Sequence, residues 1–262
     1  MKNIFALILC TVLTTIMLYQ ASLAQDKNGD TGDVSQMFLT ANQAYKEGNF
    51  EKAAALYEKL IARDIVNGNI FYNLGNAYLK AGKIGKALVT YRRAELFLPR
   101  DEDLQANIQH TLQLTTDKIE GREPYAFLKS FCFWYPKLTM KELVILCLIG
   151  NVLLWGIAIV RLFYNGEYLW LALYASIFCA LLLGISTGIK IYSFYLTPGG
   201  VVTAKEITVR SGGSPSDTVL FQLHEGAEFE WLDENAGWIK IRLRDGKKGW
   251  VQKETVEKVA AD

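Results

Sequence analysis

The chain has 262 residues, of which 51% are hydrophobic, and its 28 basic residues are balanced by 27 acidic ones. A net charge of +1 excludes an overall attraction to nucleic acid, and the two His and four Cys show no metal-ligand spacing. A chain of this length is expected to contain more than one domain.

The first 24 residues have the pattern of a secretory signal sequence. Lys2 precedes a long apolar run, and Ser22 and Ala24 place small residues just before a cleavage position at Gln25. An uncleaved anchor helix is the alternative, and either one predicts export of the chain that follows. Residues 25–33, rich in Asp, Asn and Gly, are predicted to be a flexible linker.

An internal repeat with a period of 34 residues covers residues 34–67 and 68–101. Each copy predicts two helices joined by a turn at Gly48 or Gly82, and Pro99 stops the last of them. Two repeats cannot cover their own end, so a capping helix over 102–118, with Asp101 as its N-cap, is expected to complete a domain at 34–120. The matched pairs are Ala41-Asn42 with Gly75-Asn76, Lys52-Ala53 with Lys86-Ala87, and Tyr57 with Tyr91.

The period and these residues closely resemble the tetratricopeptide repeat. The resemblance implies a peptide-binding groove lined by the first helix of each pair. Asn42 and Asn73 match two positions of the family's carboxylate clamp, but Phe38, Asp103 and Asn107 stand where its cations would be. A groove for an extended peptide is one interpretation, and asparagines that merely pair with backbone are the other. The predicted groove residues are Phe38, Asn42, Tyr45, Tyr72, Asn73, Asn76 and Lys80.

Two apolar runs, 143–160 and 168–189, contain no charged residue. About 20 residues of helix cross the hydrocarbon core of a bilayer, so transmembrane helices are predicted at 143–163 and 168–189. Two buried helices of a soluble core are the alternative. The preceding segment 121–142 mixes aromatic residues with Lys and is predicted to lie on the membrane surface.

Two spans return the chain to the side from which it came. The signal sequence therefore predicts that the repeats and the C-terminal segment both lie on the exported side. The cations Lys137, Lys141 and Lys190 would flank the spans on that side, against the usual positive-inside bias. The signal sequence, which acts first, is taken to set the orientation.

Residues 200–259 alternate with the period of β-strands between glycine-containing turns. Glu225-Gly226, Gly237-Trp238 and the stretch from Asp245-Gly246 to Gly249-Trp250-Val251 closely resemble the bacterial SH3-like barrel. The resemblance implies binding of peptides or cell-wall material. Trp238 and Trp250 are candidate residues of the barrel surface, with a packing role for both indoles as the alternative. A basic run from Lys240 to Lys248 is balanced by nearby carboxylates, so nucleic acid is not expected as a partner.

The order of these segments resembles the BatE family of Bat aerotolerance-operon proteins. The resemblance implies a multidomain membrane protein with an all-α tetratricopeptide-repeat domain, two transmembrane helices and an all-β SH3-like barrel. It implies a bacterial inner-membrane location with both domains on the periplasmic, exported side.

The same resemblance implies a non-enzymatic scaffold or adaptor that binds envelope proteins, among them Bat proteins with von Willebrand A-type domains. A peptidoglycan-binding accessory protein that recruits a cell-wall enzyme is the alternative. The sequence carries no catalytic motif, metal-ligand set or nucleotide fingerprint, so no enzyme activity, metal or cofactor is predicted.

Overall fold

The computed structural model describes residues 31–119, 134, 137–192, 194 and 198–259. The predicted signal sequence, nearly all of the linker and most of the predicted interfacial segment lie outside these residues. The described residues divide into two compact units. Residues 138–191 belong to one, and the other joins the helical repeats to the C-terminal strands.

Five helices form the repeat domain (residues 31–114), and each packs against the next. The two repeats reverse direction at equivalent glycines, Gly48 (φ +79°) and Gly82 (φ +75°), in backbone conformations that residues with a Cβ rarely adopt. The carboxylate of Asp101 accepts a hydrogen bond from the Leu104 N–H (2.8 Å), which confirms it as an N-cap. The helices are α1 (Thr31–Lys46), α2 (Phe50–Ile61), α3 (Gly68–Lys80), α4 (Ile84–Phe97) and α5 (Glu102–Leu114).

The repeat core alternates small and large side chains. Ala53 and Ala87 are fully buried and let neighbouring helices approach, while Tyr57 and Tyr91 fill the space between helices. Gly75 lies directly against the Tyr91 ring, and a Cβ at this position would be 2.5 Å from two ring carbons. The core therefore depends on the absence of a side chain at Gly75.

Two long apolar helices form the smaller unit, α6 (Met140–Phe163) and α7 (Glu167–Ile191). Thr139 and Glu142 begin α6 with a capping box. The helices have mean hydropathies of 2.7 and 2.1, and little of either is buried within the described structure. A helix pair in the core of a soluble protein would be mostly buried, so these are candidate membrane spans by length and composition.

The C-terminal sheet domain (residues 198–259) is an antiparallel sheet in the order β3-β2-β6-β5-β4-β1-β7. Its core is made by buried aliphatic residues at alternate positions, among them Val209, Ile239, Ile241 and Val251. A register shift lies between Trp231 and Asp233. The strands are β1 (Gly199–Val202), β2 (Glu206–Arg210), β3 (Val219–His224), β4 (Glu228–Asn235), β5 (Trp238–Arg242), β6 (Lys248–Gln252) and β7 (Val256–Lys258).

The sheet domain packs against α4 of the repeat domain. Val201 is fully buried in the hydrophobic cluster of the repeats. Gly85 permits the contact, because a Cβ there would collide with the carbonyl oxygen of Val202. Lys83 gives α4 no side-chain cap; instead the Glu225 carboxylate accepts a hydrogen bond from the Gly85 N–H (2.8 Å). The sheet domain thus caps a helix of the repeat domain.

A network of ion pairs joins α4 to the sheet domain. The Arg92 guanidinium donates to Glu228 (2.7 Å) and to Glu95 (2.9 Å). Burial alone would lower the pKa of Arg92, but the two carboxylates outweigh it and raise that pKa above its usual value. Arg93 adds a hydrogen bond to the carbonyl oxygen of Lys258 (2.7 Å). Arg92 is therefore a half-buried, permanently charged link between the two domains.

A histidine forms the third link. Asp117 follows α5, and its carboxylate accepts hydrogen bonds from the His224 backbone N–H (2.6 Å) and from its ring Nδ1 (2.9 Å). The hydrogen bond to Asp117 raises the pKa of His224; desolvation opposes it, and the charges of Asp117 and Glu206 add smaller increases.

This link predicts a pH dependence of stability. The raised pKa means that the protonated imidazole is favoured in the folded state. Its contribution is complete below the unfolded pKa of about 6.5 and is lost as pH rises through the higher folded pKa. We expect the melting temperature of the full chain in detergent to fall more steeply than that of His224→Gln as pH rises above about 6.5. Equal slopes for the two proteins would contradict the link.

Candidate functional site

The predicted groove residues lie on α1 and α3, the first helix of each pair. Six of the seven side chains are half-buried, and Lys80 is exposed at the end of α3. The Phe38 ring meets Tyr57 edge-on, with ring centroids 6.1 Å apart, and Tyr45 meets Phe50 in the same manner at 5.3 Å. The groove residues are therefore supported by the second helix of the pair.

The asparagines form a hydrogen-bond ladder that repeats with the sequence. In the first repeat the Asn42 side-chain oxygen accepts hydrogen bonds from the Tyr57 hydroxyl (2.6 Å) and from the Asn73 amide (3.3 Å). In the second repeat the oxygen of Asn76 accepts hydrogen bonds from the Tyr91 hydroxyl (2.7 Å) and from the Asn107 amide (2.9 Å).

The ladder leaves one donor and one acceptor unused in each asparagine pair, Asn42 with Asn73 and Asn76 with Asn107. Within the described residues, the amide nitrogens of Asn42 and Asn76 donate no hydrogen bond, and the side-chain oxygens of Asn73 and Asn107 accept none. An extended peptide backbone carries complementary C=O and N–H groups. The asparagines thus pair with side chains rather than with backbone, and they retain groups that a peptide can use.

The two buried tyrosines keep the ladder neutral. Burial raises the pKa of Tyr57 to about 12, and burial likewise raises the pKa of Tyr91. Both hydroxyls therefore remain protonated donors over the range in which proteins fold. The ladder orients the asparagine amides independently of pH near neutrality.

Two further candidate groove residues follow from the repeat period. Leu39 and Asn107 occupy the positions 34 residues before and after Asn73. Leu39 is 60% exposed, and Asn107 donates to both Asn76 (2.9 Å) and the Tyr72 hydroxyl (3.1 Å). The resemblance to the clamp marks Asn107 only as the position of a missing cation, and no motif marks Leu39. Extending the period into α5 and back to Leu39 would have found both.

The two candidate tryptophans of the sheet domain differ in position. Trp238 is only 8% exposed, and the loop at Gly213 covers it, since a Cβ on that glycine would be 3.4 Å from the Trp238 Cβ. The surface placement of Trp238 is therefore wrong, and its packing role holds. Trp250 is half-buried, with the Lys240 ammonium 5.8 Å from its ring centroid. Trp250 is the more exposed of the pair, although the same loop also approaches it: a Cβ on Gly213 would be 3.6 Å from its ring.

Among the described residues, no three His, Cys, Asp or Glu side chains are grouped to hold a metal ion. The chemistry available in the groove is hydrogen bonding and apolar contact. The sheet domain offers charged side chains and the face of the Trp250 indole.

Comparison with known proteins identifies the two domains. Residues 44–108 match the family model "Tetratricopeptide repeat", and residues 205–257 match the model "Bacterial SH3 domain". No curated protein matches the chain. The chain thus combines a helical tetratricopeptide-repeat region, two candidate membrane helices and an antiparallel bacterial SH3-type domain, and its two matched modules are typical of protein–protein interaction.

Proposed function

We propose that the protein is a non-enzymatic, membrane-anchored scaffold of the bacterial envelope that binds partner proteins. The observation that carries the proposal is the asparagine ladder. Each asparagine pair presents an unused amide donor, on an asparagine held by a buried tyrosine, and an unused amide acceptor on its partner. Such a surface is suited to the backbone of an extended segment of a partner.

The groove favours a particular kind of segment. Phe38, Tyr45 and Tyr72 supply aromatic surface next to the ladder, and Lys80 is a single exposed cation at its end. The groove lacks the cations of the carboxylate clamp at Phe38, Asp103 and Asn107. The preferred ligand is therefore an internal, extended stretch with apolar side chains, and a free acidic C-terminus is not required.

The docking of the two domains supports a scaffold role. Arg92, Gly85 and Asp117 hold the sheet domain against α4 and the end of α5. The groove and the sheet surface consequently keep a fixed spacing within this unit. Two partner segments could be held at a defined separation, which is the task of a scaffold.

The cellular setting is proposed from the order of the segments. The candidate spans α6 and α7 would anchor the chain in the inner membrane. The predicted secretory signal sequence would direct both domains to the periplasm. The order resembles that of BatE-type proteins, so a Bat-type complex that includes von Willebrand A-type proteins is the proposed assembly.

A second candidate function rests on Trp250. This half-exposed indole, in a region matched by the bacterial SH3 model, favours a peptidoglycan-binding accessory protein that recruits a cell-wall enzyme. Sedimentation of the full chain in detergent with purified peptidoglycan distinguishes the two. Co-sedimentation that Trp250→Ala abolishes would favour the second function.

The groove is tested with a photo-reactive residue in place of Leu39 in the full chain, in native membranes. We expect it to crosslink a protein partner, because Leu39 is exposed beside the ladder. Asn73→Arg should reduce the crosslinked product at least about tenfold by placing bulk and charge in the groove.

The matched control places the photo-reactive residue at Ala55, which is exposed on α2, and uses Ala55→Arg as the control substitution. Neither change touches the groove, so Ala55→Arg should leave the Leu39 product intact. Equal products from the Leu39 and Ala55 positions, or a product that survives Asn73→Arg, would rule out the groove as the binding surface.

A further inference from the structure

A tryptophan lies between two cations on the outer face of the sheet domain. In the strand register, Trp250 of β6 is opposite Arg210 of β2 on one side and Lys240 of β5 on the other. Directly opposed residues of antiparallel strands project to the same face. The Lys240 ammonium is 5.8 Å from the indole centroid, which is within reach of the ring face.

Lys248 adds a third cation to this face. It precedes Trp250 by two residues on β6, so alternation places both on one side of the strand. Lys248 is exposed, and Trp250, Lys240 and Arg210 are half-buried. We refer to Arg210, Lys240, Lys248 and Trp250 as the cationic strip.

The charges of the cationic strip are not neutralised within the described residues. No carboxylate there lies within 4.0 Å of Lys240 or Lys248, and Arg210 donates to the backbone oxygen of Asp217 (2.7 Å). Asp233 is opposite Lys240 in the register but forms no ion pair with it. The carboxylate of Asp217 is occupied by the Ser214 N–H (2.8 Å).

The neighbouring basic residues behave differently. Arg242 pairs with Glu230, Arg244 pairs with Glu228 (3.0 Å), and Lys247 pairs with Asp245 (2.9 Å). The predicted balance between the basic run and nearby carboxylates therefore holds for Arg242, Arg244 and Lys247. It fails where the run surrounds Trp250. The local excess of positive charge coincides with the surface indole.

We infer that the cationic strip binds an acidic, extended segment of a partner protein. Neighbouring strands lie about 4.8 Å apart, so the backbones of Arg210 and Lys240 are about 10 Å apart with the indole between them. An extended chain advances about 3.3 Å per residue, so carboxylates three or four residues apart reach both cations. An apolar side chain between those carboxylates would pack on Trp250.

The indole favours a peptide over a polyanion. A phosphate polymer would satisfy the three cations but has no apolar group for Trp250, whereas an acidic segment with one apolar residue uses all four side chains. The inference rests on the proposed scaffold function, to which it adds a second surface and the chemistry of its ligand. The groove and the cationic strip lie on different domains, so variants can separate them.

The test uses the full chain in lipid nanodiscs and fluorescence anisotropy. The probe is a short fluorescein-labelled peptide of Glu and Ser residues with one central Tyr. A second peptide has every Glu replaced by Gln, and inorganic polyphosphate is the competitor. We expect binding of the Glu peptide that weakens as salt is raised. The double variant Lys240→Glu and Lys248→Glu should weaken it at least about tenfold, because like charges then face the ligand.

The control variants distinguish a loss of binding at the cationic strip from an effect of misfolding or of the net charge of the chain. Lys240→Gln removes one cation without reversing it and should give a smaller loss of affinity. Lys52→Glu reverses an exposed lysine on α2 and should leave binding unchanged. Trp250→Phe should bind more tightly than Trp250→Ala, since the phenyl ring retains an apolar face.

Three results would overturn the inference: equal binding of the Gln peptide, unchanged binding by the double variant, or tight binding of polyphosphate with none of the Glu peptide. If Asn73→Arg abolishes binding of the Glu peptide and the double variant does not, the peptide binds in the groove instead. If the Leu39 crosslink is formed but the Glu peptide does not bind, this inference is overturned and the proposed scaffold function is not.

Discussion

Arg92→Met is expected to lower the free energy of unfolding of the repeat and sheet domains by about 3 kcal/mol or more. The side chains of Arg92 and Glu228 are 20% and 16% exposed. Removing the guanidinium leaves Glu228 with the more exposed Arg244 as its remaining ion-pair partner, and it leaves Glu95 with a hydrogen bond from the Gln105 amide but no cation. Urea denaturation of the full chain in detergent, followed by tryptophan fluorescence, measures the loss.

The matched control is Arg63→Met. Arg63 also pairs with a carboxylate, that of Asp33, but the two side chains are 50% and 55% exposed. A surface ion pair contributes at most about 1 kcal/mol, so this control should change stability little. The double variant Arg92→Met and Glu228→Gln should recover part of the loss. Equal losses for Arg92→Met and Arg63→Met would show that the contact does not hold the domains together.

Gly75→Leu is expected to cost about 3 kcal/mol or more by overpacking the repeat core. Even a Cβ at Gly75 would be 2.5 Å from the Tyr91 ring. Tyr91 cannot move aside without cost, because it is fully buried and its hydroxyl is held by Asn76. The melting temperature of the full chain, measured by circular dichroism, should fall by several degrees.

Ala55→Leu is the control for Gly75→Leu. Ala55 is exposed on α2, so a leucine there enters solvent and fits the helix well. A melting temperature close to that of the unaltered chain is expected. If Gly75→Leu melts no lower than Ala55→Leu, the close contact between α3 and the Tyr91 ring does not support the core.

The local structure could be predicted because it follows from short-range patterns. The 34-residue period predicts the paired helices, Asp101 has the side chain of an N-cap, and strict alternation after Gly200 predicts strands. Each of these patterns is formed by the same residues that form the helix, the cap or the strand. The length of the two apolar runs predicts α6 and α7 in the same way.

The docking of the two domains could not be predicted in this way. Arg92 and Glu228 are 136 residues apart, and Gly85 and Glu225 are 140 residues apart. Neither pair belongs to a motif. In the sequence, Glu225 and Glu228 cannot be distinguished from carboxylates that lie on the surface. The contact depends on the three-dimensional fit of two finished domains.

The candidate site was predictable in part. The resemblance to a known repeat locates Asn42, Asn73 and Asn76, but their tyrosine partners become visible only when the helices pack. Trp238 lies two residues before Lys240 on β5, so alternation places it on the outer face of the sheet, but that face is not open to solvent at this position. The loop at Gly213 then covers it.

The cap that Glu225 supplies to α4 has a consequence for the order in which the protein matures. The amino end of α4 is synthesised well before its acceptor, with both apolar helices in between. Val201, which completes the core of the repeats, also arrives late. A nascent or C-terminally truncated chain therefore carries a repeat domain with an unsatisfied helix end and an uncovered apolar patch. The repeat domain therefore reaches its full stability only after the sheet domain has folded against it.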